Sequence, residues 1–347
     1  MLAEFIPESF FAAQQSLLLW LIAGGAIAML VFGADRAVGA AVKLAAALGM
    51  SKVIIGATVV SLGTTTPEAC TSVMAAISGK PAMALGNGVG SIICDTALIF
   101  GLCCCITRLP RDRFVLNRHG WIQLGTGAML TAIVLVLWAV SGDITRVEIP
   151  RLVGVCLLLL LGGYMALSVH WSRRHPEMIP DEAKTQVTGG HGPRRAVVNL
   201  VILAGGLILV AFGSRLLIGS VVEVCHRMNV PEEALAVTLV AFGTSLPELA
   251  TAIAAIIKGH PDLLVGNIIG ADILNVLFVI GASATAVPLS VKPTFFTIYL
   301  PVMMAALLLL RVYICMRGNT FKRWQGIPLL GLYVLFCILT LRFGTAG

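Results

Sequence analysis

The sequence predicts an all-α integral membrane protein, with ten transmembrane helices arranged as two inverted five-helix repeats. Three observations predict it. Of the 347 residues, 58% are hydrophobic and only 12% are charged, whereas a soluble domain has roughly 25% charged residues; the mean hydropathy is +0.96. The apolar runs are about 20 residues long, the span of a helix across hydrocarbon, and lack the short alternating segments of a barrel. Finally, the hexapeptide Gly63-Thr64-Thr65-Thr66-Pro67-Glu68 recurs 180 residues later as Gly243-Thr244-Ser245-Leu246-Pro247-Glu248.

Taken in order, the spans are expected near 15–39, 53–78, 82–107, 120–141, 149–171, 196–222, 233–257, 262–287, 295–316 and 326–343. The chain starts with Glu4 and Glu8 and no Lys or Arg, which reads as a retained first helix and not a cleaved signal peptide. Residues 172–195, with Arg173, Arg174, Lys184, Arg194 and Arg195 among Gly and Pro, read as a cytoplasmic linker. It divides a first membrane repeat, 1–171, from a second, 196–347.

The net charge of +7 raises the thought of nucleic acid or anionic lipid. Its distribution answers to membrane topology instead, and no nucleic-acid role is expected. Sixteen Lys and Arg residues fall on loops after odd-numbered spans and six on the other side. That bias puts the odd loops in the cytoplasm and both termini outside. Nine cysteines lie mostly within apolar runs without CxxC spacing, so they read as small packing residues and not as a zinc site.

The repeat holds at a constant offset of 180. Gly33 pairs with Gly213 and Gly39 with Gly219 in the first spans. Thr58 through Glu68 pairs with Thr238 through Glu248 in the second. Gly86, Asn87, Gly90 and Gly101 pair with Gly266, Asn267, Gly270 and Gly281 in the third. Five spans per half is an odd number, so the second half runs through the membrane in the opposite sense. Such inverted repeats place a substrate site near the midplane, between the halves.

Pro67 and Pro247 lack an N–H and crowd the carbonyl four residues back, so a helix break is expected at each. A carboxylate at the bilayer centre costs about 2.5–3.5 kcal/mol on insertion scales, so Glu68 and Glu248 at equivalent positions read as functional. Residues three and four apart share a helix face. Thr64 and Thr65 are therefore expected near Glu68, and Thr244 and Ser245 near Glu248. Ser91 and Asp95 share a face in the third span, and Asn275 is the repeat partner of Asp95. Asp272 has Ile92 at its partner position, and the sequence leaves it between the pathway and a polar crevice. Carboxylate, amide and hydroxyl oxygens without His or Cys suit hard cations such as Ca²⁺, Mg²⁺ or Na⁺.

At these residues the chain resembles the cation/Ca²⁺ exchanger superfamily, nearest to prokaryotic sodium/calcium exchangers. The resemblance rests on two α-repeats, Gly56–Gly101 and Ala236–Gly281, containing G-T-[ST]-x-P-E and G-N-x-x-G. It implies cation sites among spans 2, 3, 7 and 8. Glu68 and Glu248 would be shared Ca²⁺/Na⁺ carboxylates, and Thr64, Thr65, Ser91, Thr244 and Ser245 hydroxyl ligands. Carbonyls near Ser61 and Ala241 would contribute, and Asp95 and Asn275 would complete the central layer. Spans 1 and 6 would slide across the core. Two departures bear on the counter-ion: Ala271 stands where the second repeat often has Ser, and the acid of the Asp95/Asn275 pair lies in the first repeat.

The expected activity is a secondary antiporter in a bacterial or archaeal cell membrane. It would move Ca²⁺ in exchange for Na⁺ by alternating access. It would have no resident cofactor and no catalytic residues, the lipid bilayer being its other partner. The alternatives are an H⁺- or K⁺-coupled antiporter, one carrying another divalent ion, and, more distantly, an intramembrane enzyme. The last would need a catalytic dyad, which Glu68 and Glu248, flanked by hydroxyls, do not supply.

Overall fold

The computed structural model describes residues 8–48, 50–111, 113–174, 193–228 and 241–343. Nine helices among them are long and apolar enough to cross a membrane: α1 (Ser16–Ala47), α2 (Lys52–Ile77), α3 (Pro81–Ile106), α4 (Leu116–Ser141), α5 (Arg151–Trp171), α6 (Ala196–Val224), α8 (Pro261–Ala286), α9 (Phe295–Cys315) and α10 (Arg323–Phe343). A shorter apolar helix, α7 (Leu246–Ile257), occupies the second part of the seventh expected span. Residues 233–240 of that span, most of the expected linker and both chain ends lie outside the described residues.

The first span is longer than expected. Its helix runs Ser16–Leu48, 33 residues, or about 50 Å at the α-helical rise. Ala40, Ala41 and Ala45 through Ala47 are strong helix formers, and no proline interrupts them. The helix of α6 likewise runs Pro193–Arg227, 35 residues, opened by a proline at a position that needs no N–H. Lys43, beyond the end of the first expected span, therefore lies on the helix of α1.

Glycines decide where helices meet. A Cβ on Gly33 of α1 would stand 2.8 Å from the Gly206 carbonyl of α6, and one on Gly206 would stand 2.8 Å from the Gly33 carbonyl. Backbones this close gain dispersion contacts that lipid cannot supply. Gly266 and Gly270 of α8 rest on the backbone of Val53 and Ala57 in α2, and a Cβ on Gly56 of α2 would stand 2.9 Å from the Asn267 nitrogen. Gly101 of α3 meets Gly326 of α10, and its repeat partner Gly281 of α8 meets Gly154 of α5. Each half's third span thus packs on the other half's fifth span. The result is α8, buried along almost its whole length, at the centre of the bundle. A short antiparallel ribbon, β1 (Glu148–Ile149) with β2 (Leu289–Ser290), ties the α4–α5 loop to the α8–α9 loop.

The expected breaks at the prolines appear in only one half. Ser61–Ile77 is one continuous α-helix with Pro67 inside it. Thr66 donates its hydroxyl to the Leu62 carbonyl. The irregularity sits one turn earlier, as a π-helical turn over Gly56–Val60. In the second half Leu246 replaces Thr66 and has no hydroxyl. There the helix breaks at Ser245 (φ −89°, ψ 9°), with Pro247 in the first turn of the helix that follows. Two further π-helical turns lie at Cys94–Phe100 and Asn275–Ile280, nearly in repeat register, and carry Asp95 and Asn275.

Candidate cation site

The two hexapeptides meet where α2, α3, α7 and α8 converge. Thr64, Thr65, Glu68, Ser91, Asp95, Ser245, Glu248 and Asn275 are all buried there. Ser91 donates to Glu68 Oε1 at 2.8 Å, and Ser245 donates to the same oxygen at 3.3 Å. Ser91 and Thr244 hydroxyls are 3.4 Å apart. Asp95 lies within electrostatic reach of Glu248, Glu68 and Asp272, and Glu68 within reach of Glu248.

The unserved atoms are the informative ones. Glu68 Oε2, both oxygens of Glu248, both oxygens of Asp95, both amide atoms of Asn275 and Thr65 Oγ1 are buried without a hydrogen-bond partner. Buried polar groups are paired in the great majority of cases. Five such side chains in one place form a set of oxygens suited to a hard cation. Among the described residues no three Asp, Glu, His or Cys groups come together as a compact metal cluster. An ion here must therefore draw on hydroxyl and amide oxygens between the carboxylates.

The pairing of hydroxyls with glutamates differs from the expectation. Glu68 is served by Ser245, across the repeat boundary. Thr64 and Thr65 stand near Glu248, again across the boundary, although neither Glu248 oxygen receives a well-formed bond. On a helix that runs unbroken through Pro67, Thr64 is held by its own turn, donating to the Ser61 carbonyl at 3.2 Å. The glutamates differ for a second reason. Ser91 donates to Glu68, whereas its repeat partner Ala271 has nothing to donate to Glu248.

Other residues hold the site together. Asn87, read from the sequence only as part of the repeat match, donates to Ser72 at 2.8 Å and accepts from Thr244 at 3.1 Å. Its repeat partner Asn267 donates to Thr251 at 3.3 Å. Thr71 and Thr251 donate to the carbonyls of Pro67 and Pro247, both at 2.9 Å. The exact repeat match of Asn87 with Asn267 is the signal that marks them. Asp272 lies in a polar crevice, accepting on Oδ2 from Thr96 of α3 and Gln123 of α4. Tyr164 of α5 donates to the Ala57 carbonyl in the π-helical turn of α2 at 3.0 Å, and His119 Nδ1 lies 3.1 Å from the same hydroxyl.

Comparison with known proteins agrees with this fold. The chain is 30% identical to Escherichia coli inner membrane protein YrbG over 310 residues, 89% of this chain and 92% of that protein. It is 27% identical to the sodium/calcium exchanger MaX1 of Methanosarcina acetivorans over 343 residues, 90% of this chain and 95% of that protein. Its fold is similar to the solved structure of the sodium-calcium exchanger NCX_Mj soaked with Na⁺ and no Ca²⁺, with a TM-score of 0.75, 25% identity, and 92% and 98% of the two chains covered. The sodium/calcium exchanger protein family matches residues 18–170 and 198–342, one stretch in each half. With two matched repeats, a shared fold and a buried oxygen-lined site between the halves, this multi-pass membrane protein is a transporter, not an enzyme, and belongs to the sodium/calcium exchanger protein family.

Proposed function

We propose that the protein is a secondary antiporter that moves Ca²⁺ across a prokaryotic cell membrane in exchange for Na⁺. The cargo site would be formed by Thr64, Thr65, Glu68, Ser91, Asp95, Thr244, Ser245, Glu248 and Asn275. The observation that carries this reading is the group of buried, unpartnered oxygens on Glu68, Asp95, Glu248 and Asn275. Their mutual repulsion is relieved when a cation enters. A fully charged, unfilled site is costly at membrane depth, so the chain changes access most easily with either cargo bound, which is what couples the two fluxes. The chain division at 172–195, with that stretch cytoplasmic and both termini outside, belongs to the same proposal and is supported by the Lys and Arg bias.

Ala271 favours a second reading, in which H⁺ or K⁺ replaces Na⁺. It is buried and is the repeat partner of Ser91, whose hydroxyl serves Glu68. The deciding experiment uses proteoliposomes loaded with Na⁺ and diluted into Na⁺-free medium, with uptake of radiolabelled Ca²⁺ followed over time. Uptake driven by Na⁺ but not by H⁺ or K⁺ gradients is the expected result. Uptake driven only by H⁺ or K⁺ would select the second reading, and none under any gradient would overturn both.

A further inference from the structure

Asp272 is a fourth buried carboxylate, and nothing in the central cargo site uses it. Its Oδ2 accepts two hydrogen bonds, from the Thr96 hydroxyl and from Gln123 Nε2. Its Oδ1 is buried and has no partner. Had Asp272 only a bridging role, donors would be expected on both oxygens. Both donors instead hold one oxygen and leave the other bare. Its neighbour in charge is Asp95, whose two oxygens are also buried and unpartnered. Thr96, whose hydroxyl reaches Asp272, follows Asp95 in the same π-helical turn of α3.

Charge counting points the same way. Glu68, Glu248, Asp95 and Asp272 carry four formal negative charges, and one divalent ion offsets two. Buried charges left over must be paired or neutralised. A Ca²⁺ ion takes six to eight oxygens, more than Asp272, Asp95 and Thr96 offer. A small hard monovalent ion fits this sparse set of oxygens better.

We propose that Asp272 Oδ1, the Asp95 carboxylate and the Thr96 hydroxyl form a lateral Na⁺ subsite beside the central site. Gln123 is its positioning residue, fixing Asp272 from α4. This brings α4, which contributes nothing to the two repeat motifs, into ion coupling. The assignment of Na⁺ rests on the exchanger reading above, and the test separates the two.

Purified full-length protein is loaded with radiolabelled Ca²⁺ in Na⁺-free medium, and the ion is displaced by increasing Na⁺. For Asp272→Asn the displacement curve is expected to lose the steepness of one Na⁺, and the half-displacing concentration to rise about tenfold. Thr96→Val should shift the curve in the same direction. It carries the test alone if Asp272→Asn no longer binds one Ca²⁺ per chain in Na⁺-free medium. Gln123→Leu should raise the half-displacing concentration with the steepness retained, since it removes a support and not a ligand. Displacement curves that coincide with wild type in variants that still bind Ca²⁺ would overturn the subsite. So would a variant that alters only the pH dependence of Ca²⁺ binding, because the group then holds a proton, or one whose lost displacement step is reproduced by K⁺. A wild-type protein that binds no Ca²⁺ would overturn the exchanger reading instead.

Discussion

Glu68 and Glu248 occupy equivalent repeat positions but not equivalent surroundings. Glu68 has one oxygen held by Ser91 and Ser245; Glu248 has neither oxygen held. Ala271, where the first repeat has Ser91, is the cause legible in the sequence. Two predictions follow at this scale. Glu248→Gln keeps the shape and removes the charge, so it should abolish Ca²⁺ flux in proteoliposomes while the protein still elutes as a folded species. Near-normal flux would remove Glu248 from the site. Ala271→Ser should supply Glu248 with a donor and lower the Na⁺ concentration giving half-maximal exchange. An unchanged half-saturation would mean that the missing hydroxyl does not set Na⁺ affinity.

The helices differ from straight apolar rods in specific ways. α2 stays continuous through Pro67, which leaves the Gly63 carbonyl without its helical donor, while the matching turn of the second half breaks at Ser245. The π-helical turn of α2 is held by the Tyr164 hydroxyl on the Ala57 carbonyl. Tyr164→Phe leaves that carbonyl and His119 Nδ1 without this partner. It should destabilise the protein by about 1–3 kcal/mol, measured as a lower thermal midpoint in detergent. The meeting of α2 and α8 is tighter still. Gly270→Ala would drive a methyl group into the Ala57 backbone and should cost about 1–3 kcal/mol or more, as overpacking does. Gly86→Ala is the control: its Cβ would meet only Phe295 at 3.8 Å, an ordinary contact. Equal effects of the two substitutions would contradict this account of the interface.

At the scale of the molecule the halves are interlocked. α3 of the first half packs on α10 of the second through Gly101 and Gly326, and α8 packs on α5 through Gly281 and Gly154. The central helix α8 draws its contacts from both halves, so neither half buries its own polar residues alone. Cutting the chain within 175–192 and producing the two pieces separately should give aggregated or degraded fragments. Producing them together should restore a complex that exchanges Ca²⁺. An isolated half that remains monodisperse would show that the interlock is not needed for folding. The pairing of α1 with α6 adds a different contact, since both expose apolar surface over much of their length and touch at Gly33 and Gly206.

The sequence by itself determined the membrane class, the duplication and the residues that gather at the centre. Hydropathy, a constant offset and oxygen-bearing side chains in apolar runs are all local features of the chain. It also marked Ala271 and the Asp95/Asn275 asymmetry. The pairing of each hydroxyl with its glutamate was decided only by the tertiary structure. Ser245 and Glu68 are separated by 177 residues, and helix periodicity relates only neighbours within a turn or two. The same holds for Gln123 and Asp272, 149 residues apart on helices that share no motif. A side chain's helix face can be read from its spacing. What that face meets depends on how two halves, inverted and interlocked, close around one another.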